Sequence, residues 1–93
     1  MEQRKFIVLI IYDIVDNKMR NKMVKCLENY GVRVQKSAFE ALLNRKQYEK
    51  LLRESSCLIN QSVDSLRIYV LDDIIDVYTW GVGERKESDC VIL

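Results

Sequence analysis

Asp13 ends the apolar run Phe6–Tyr12, and behind it come Asp16 and then the cations Lys18, Arg20, Lys22 and Lys25. An acid where a strand gives way to a loop is held rigidly yet open to solvent, a common setting for a functional group. The bland alternative is that Asp13 starts a turn and Asp16 caps the helix that follows. What chemistry the acid could do is narrowed by a missing residue type. The chain has no histidine, which removes the usual general base near neutral pH, histidine metal ligation, an H-E-x-x-H site and any Ser-His or Cys-His nucleophile. Hydrolysis would therefore have to lean on carboxylates and a hard, oxygen-loving cation such as Mg2+ or Mn2+. One carboxylate holds such an ion poorly. Two copies of Asp13 facing each other across a two-fold axis would repel unless a cation lay between them, and that ion could activate water and neutralise charge on a phosphate.

The cations Lys18, Arg20, Lys22, Lys25, Arg33 and Lys36 lie close together in the chain, with Glu28 the one acid among them. With the positive end of a helix they could grip a nucleic-acid backbone without reading sequence; an ordinary solvated helix face is the competing explanation. Tyr12 and Phe39 could each stack on a base, although core packing explains both. Trp80 reads as interface or core. The whole-chain charge of +1 hides a division. Residues 1–71 carry thirteen Lys/Arg against eight Asp/Glu, a surplus of five, whereas residues 72–93 carry two against six. A polyanion partner suits the first part and not the second.

The elements that must position these groups follow from periodicity. Residues 5–13, KFIVLIIYD, are apolar on both faces, as in a central strand covered on both sides. A helix runs from a cap at Asp16 or Asn17 to about Tyr30, with Met19, Met23, Cys26, Leu27 and Tyr30 as its core stripe and Gly31 as C-terminal cap. VRVQKSAFEALL, residues 32–43, is extended, either one bent strand or a tight hairpin. Asn44 and Gln47 form a capping-box pattern for a second helix to about Ile59, and LRIYVL, 66–71, is a further strand. DVYTWGV, 76–82, would be a short extra strand. With a hairpin at 32–43 this order is the ferredoxin-like split βαβ, an α+β fold whose antiparallel sheet carries two helices on one face. The sheet's other face also needs cover, and a sheet-to-sheet homodimer is the economical answer.

Ninety-three residues make one domain. Residues 1–75 form the ferredoxin-like unit, and 76–93 a C-terminal strand or tail expected to cross to the partner's sheet edge. Cys26, Cys57 and Cys90 fit neither a zinc pattern nor a disulfide framework, and 26 and 57 read as small buried hydrophobes. No run reaches the roughly 18 apolar residues of a membrane span. No signal peptide is apparent, so the chain is expected to be cytoplasmic. The terminal CVIL fits a prenylation pattern, but the acidic tail before it favours an apolar segment pairing with a sheet edge.

Residues 8–71 resemble the small CRISPR-associated adaptation protein family, Cas two. The carriers are YDI at 12–14 with Asp16, RNK at 20–22, YGVRVQKSAFEALL at 30–43 and DSLRIYVL at 64–71. The resemblance implies a prokaryotic, metal-dependent endonuclease of single-stranded RNA or double-stranded DNA. It further implies a homodimer that serves spacer acquisition bound to the larger adaptation protein, the CRISPR integrase. Carried over residue by residue, it makes Asp13 the metal-binding and catalytic acid. Tyr12, Arg20, Lys22, Arg33 and Phe39 become the residues that meet nucleic acid; no organic cofactor is implied. Lys22 stands where many members have arginine, which keeps the charge and loses the bidentate fork; Ala38 stands where valine is common. Two other functions suit the same pattern: a non-catalytic dimeric scaffold for DNA and the integrase, and a toxin-like ribonuclease.

Overall fold

The computed structural model describes residues 4–71 together with 78, 80 and 81. The element order is β1 (Phe6–Asp13), α1 (Asn17–Glu28), β2 (Gly31–Gln35), β3 (Ala38–Leu43), α2 (Arg45–Ser56) and β4 (Ser65–Leu71). The strands form one antiparallel sheet in the order β2-β3-β1-β4. This is the expected ferredoxin-like α+β arrangement, with the strand that comes first in the chain placed in the middle.

Strand alternation decides what each face does. Val8, Ile10 and Tyr12 of β1, with Phe39, Ala41 and Leu43 of β3, are buried beneath Met23 and Leu27 of α1 and Leu51 of α2. Each large apolar side chain so enclosed stabilises the fold by about 1.5–3 kcal/mol. The other face carries Ile7, Leu9 and Ile11 of β1, with Leu42 of β3 paired opposite Ile7 and Tyr69 of β4 opposite Leu9. Leu42 is 58% exposed and Tyr69 42% exposed, and neither helix covers this side.

The helix starts are those the sequence predicts. Asp16 caps α1 by accepting the Met19 amide at 2.9 Å. Asn44 and Gln47 close a full capping box at α2, each side chain accepting the other's backbone N–H at 2.9 Å. The helix ends differ. Asn29, in right-handed helical conformation, is the C-cap of α1, and Gly31 is instead the first residue of β2. Its lack of a side chain answers a close approach: a Cβ there would fall 2.0 Å from the Glu40 carbonyl oxygen on β3. α2 stops at Ser56, and Cys57 beyond it is exposed rather than buried. Residues 32–43 are a hairpin, with an irregular register between Arg33 and Gln35.

Just past α1, the Tyr30 hydroxyl donates to Glu54 of α2 at 2.6 Å. Burial and then this bond hold the Tyr30 phenol protonated far above the ordinary tyrosine range. Burial, with Glu54 nearby, also raises the Cys26 thiol. Trp80 is 85% exposed, which excludes it from the protomer core. The strand expected over 76–82 and the crossing of the tail lie outside the described residues. No helix among the described residues is long and apolar enough to cross a membrane.

Candidate functional site

The sheet topology brings three connections to one end: the β1–α1 loop, the β2–β3 turn and the α2–β4 loop. Asp13 stands among them as the last residue of β1, paired with Ser65 at the start of β4. Alternation sets its side chain on the uncovered face, with Ile7, Leu9 and Ile11, and the residue is exposed. Tyr12, one position earlier, points the other way and is 2% exposed.

The strand end is tied to its surroundings by hydrogen bonds. Tyr12 donates its amide to the Ser37 carbonyl at 3.1 Å and its hydroxyl to the Lys36 carbonyl at 3.2 Å, fixing the β2–β3 turn to β1. Arg33 donates Nε (3.2 Å) and Nη2 (2.7 Å) to that same Lys36 carbonyl. Arg20 reaches back from α1 over the loop: Nε donates to the Ile14 carbonyl and Nη2 to the Val15 carbonyl, each at 3.1 Å, and Nη1 to Asn17 Oδ1. Asp64, from the α2–β4 loop, accepts the Val15 amide at 2.9 Å.

Several residues singled out in the sequence therefore act differently from the expectation. Tyr12 and Phe39 are closed to solvent, with ring centroids 6.3 Å apart in a tilted pair, so neither ring is open to a stacking base. Both are apolar rungs of the helix-covered face, and the core explanation applies to each. Arg20 and Arg33 direct their guanidinium forks at backbone carbonyls of the turn and loop, where they brace the strand end. Lys22 lies with Lys18 and Lys25 on the exposed side of α1. Lys36, in the β2–β3 turn, is exposed as well.

As a metal ligand set, one protomer supplies little. Among the described residues no three acidic or cysteine side chains come together to hold an ion. Asp13 gives one hard carboxylate, the donor type Mg2+ and Mn2+ prefer, and these ions usually keep several waters and take further oxygens from a substrate phosphate. The residues fit such an ion when a second carboxylate is supplied from outside the protomer, and Asp13 faces the side on which a second copy would pack.

Asp64 is the residue that sequence analysis did not single out. Its partners are the amides of Val15 and Asn60, the first of them 49 positions away in the chain. Its trace in sequence is an acid just ahead of a strand, the first residue of DSLRIYVL, to which the sequence alone assigns no role. That trace gains meaning once the register sets Ser65 beside Asp13.

Comparison with known proteins adds the lineage. The model of the family described as CRISPR associated protein Cas2 matches residues 6–75. A Chloroflexus aurantiacus protein named CRISPR-associated endoribonuclease Cas2 3 is 40% identical over 81 residues, covering 85% of this chain and 87% of its own length. Among solved structures, a Thermus thermophilus protein described as hypothetical superposes with a TM-score of 0.78 at 38% identity, over 85% of this chain and 94% of that one. Streptococcus pyogenes Cas2 superposes with a TM-score of 0.65 at 28% identity, over 70% of this chain and 84% of that one.

Proposed function

The chain belongs to the CRISPR-associated Cas2 family, and from that premise we propose that it is a metal-dependent endonuclease acting as a homodimer in spacer acquisition. Its substrates are phosphodiesters of single-stranded RNA, double-stranded DNA or both. The endoribonuclease name of its Chloroflexus relative supports the activity class. The observation that carries the reading is the placement of Asp13 on the same uncovered sheet face as Ile7, Leu9 and Ile11. Two copies packed through that face bury its apolar residues and bring their acids toward a common axis. The two carboxylates then form the donor set that one protomer lacks.

A bound Mg2+ or Mn2+ would supply Lewis acidity and make a water easier to deprotonate into a nucleophile for phosphorus. The chain's own residues do the rest. Asp13 from each subunit provides the anionic oxygens, and the bonds from Tyr12, Arg20 and Arg33 keep the strand end from shifting. Lys18, Lys22, Lys25 and Lys36 hold the polyanion by phosphate contacts that are blind to base sequence. The same lysines favour a second reading, a scaffold that grips duplex DNA for the integrase without cutting it, because none of them depends on Asp13.

Asp13→Ala separates the two. It should reduce Mg2+-stimulated cleavage of RNA and duplex DNA by about 10²-fold or more, the scale of removing a group that acts directly on the reacting charge. Dimer mass in sedimentation and binding to the integrase should be unchanged. Cleavage at the wild-type rate by the purified variant would point to a contaminant or another site and remove Asp13 as the catalytic acid, whereas a wild type without metal-stimulated cleavage would leave the scaffold as the function.

A further inference from the structure

Among the described residues the Asp13 carboxylate has no hydrogen-bond partner, so its position depends on the backbone that follows it. That backbone is gripped twice at one residue, Val15, once on each of the peptide units that flank it. Ile14 is buried and anchors the loop to the core, but Val15 is 65% exposed and lies over an open cleft of about 480 Å3 rather than on packed side chains. The Val15 carbonyl is taken by Arg20 and its N–H by Asp64 Oδ1. Asp64 is itself fixed: Oδ2 accepts the Asn60 amide at 2.9 Å, and its own amide donates to the Asn60 carbonyl at 2.8 Å. The next residue, Ser65, pairs with Asp13.

We infer that Asp64 is a positioning residue for Asp13, joining the α2–β4 loop to the β1–α1 loop through the Val15 amide. The inference rests on the proposed role of Asp13 as the metal-holding acid. A carboxylate accepting backbone N–H groups makes charge-assisted bonds stronger than neutral ones. Without Asp64 the Val15 and Asn60 amides both lose these acceptors, and the hydrogen bond from the Val15 amide to the α2–β4 loop is gone. A shift of about 1 Å in a metal-holding group lowers turnover by up to about 10²-fold. Both Asp64 carboxylate oxygens are taken by backbone amides, so it acts through the loop rather than on substrate, and substrate affinity should stay as it was.

The test compares wild type with Asp64→Ala and Asp64→Asn in the full chain, by three measurements: steady-state cleavage of an RNA or duplex DNA oligonucleotide in Mg2+, hydrogen exchange of the Val15 amide, and the Mn2+ concentration that broadens the Asp13 amide resonance. Asp64→Ala should lower kcat about tenfold or more with KM within about twofold, speed Val15 exchange, and raise the Mn2+ concentration needed. Asp64→Asn, which keeps one acceptor oxygen, should fall between and guards against a poorly folded alanine variant. Unchanged kcat and unchanged Mn2+ broadening in both variants, with only thermal stability lowered, would overturn the inference and leave Asp64 a loop staple. If wild type shows no metal-stimulated cleavage, the nuclease reading fails by itself. Val15 exchange and the Mn2+ profile then still decide the role of Asp64.

Discussion

Val8, Ile10 and Tyr12 of β1 are sealed beneath two helices, while Ile7, Leu9 and Ile11, alternating with them in the chain, face the side without helices together with Asp13. Both sets are β-branched or large apolar residues, and both read as core in the sequence. Among the described residues, the helices fill one side and none of them covers the other. Strand alternation thus divides the labour: one face of β1 holds the fold together, and the other presents the acid and the surface that would bring a second acid to it.

The largest expected effect contrasts adjacent residues across this division. Ile10→Ala, at a site with no solvent exposure, should destabilise the chain by about 2–5 kcal/mol in denaturant unfolding, whatever the protein concentration. Ile11→Ala should lower stability by less, and on the proposed dimer its loss should depend on protein concentration. Equal, concentration-independent losses would mean that the two faces do not differ in this way. Next comes the open face alone. Leu42→Lys should raise the dimer dissociation constant about tenfold or more in sedimentation, through a charge buried without a partner, while the isolated protomer's circular dichroism stays native. A dimer of unchanged strength would move the interface elsewhere.

The smallest effect lies on the helix side, at Tyr30. Its phenol is held protonated in the folded chain, whereas the unfolded chain ionises near the ordinary value of 10.0. The contribution of the Tyr30–Glu54 bond is therefore complete at neutral pH and fades as pH rises through 10 and beyond. Tyr30→Phe should be slightly less stable than wild type at pH 7, with the gap narrowing toward pH 11 in urea melts. A gap that is constant across that range would show that the hydroxyl's partner is immaterial to folding.

Elements with strong local signals were readable from sequence. The caps at Asp16 and Asn44, the two-sided apolar β1 and the alternation of 66–71 each depend on residues within a few positions of one another. Asp13 was readable for the same reason, as an abrupt polar end to an apolar strand. What failed depended on pairing. Gly31 looks like a helix cap until β3 is laid against it, and the choice between a bent strand and a hairpin at 32–43 is settled only by register. Tyr12 and Phe39 belong to the core because of which face they occupy, and Arg20 and Arg33 meet carbonyls that only the folded loops bring within reach. Asp64 depends on a partner 49 residues away and leaves the faintest local signature.

The sheet order carries a consequence for biosynthesis. β1 leaves the ribosome first, yet its two neighbours, β3 and β4, come later, and β4 is the last strand described. Such non-local pairing is slow to form compared with helical contacts. A nascent or prematurely terminated chain that ends before Asp64 has its acid already made but lacks the strand beside it and the loop that braces it. The Asp13 end of the sheet thus takes its final form only once β4 is in place, and a chain stopped short of it has the acid without its neighbouring strand.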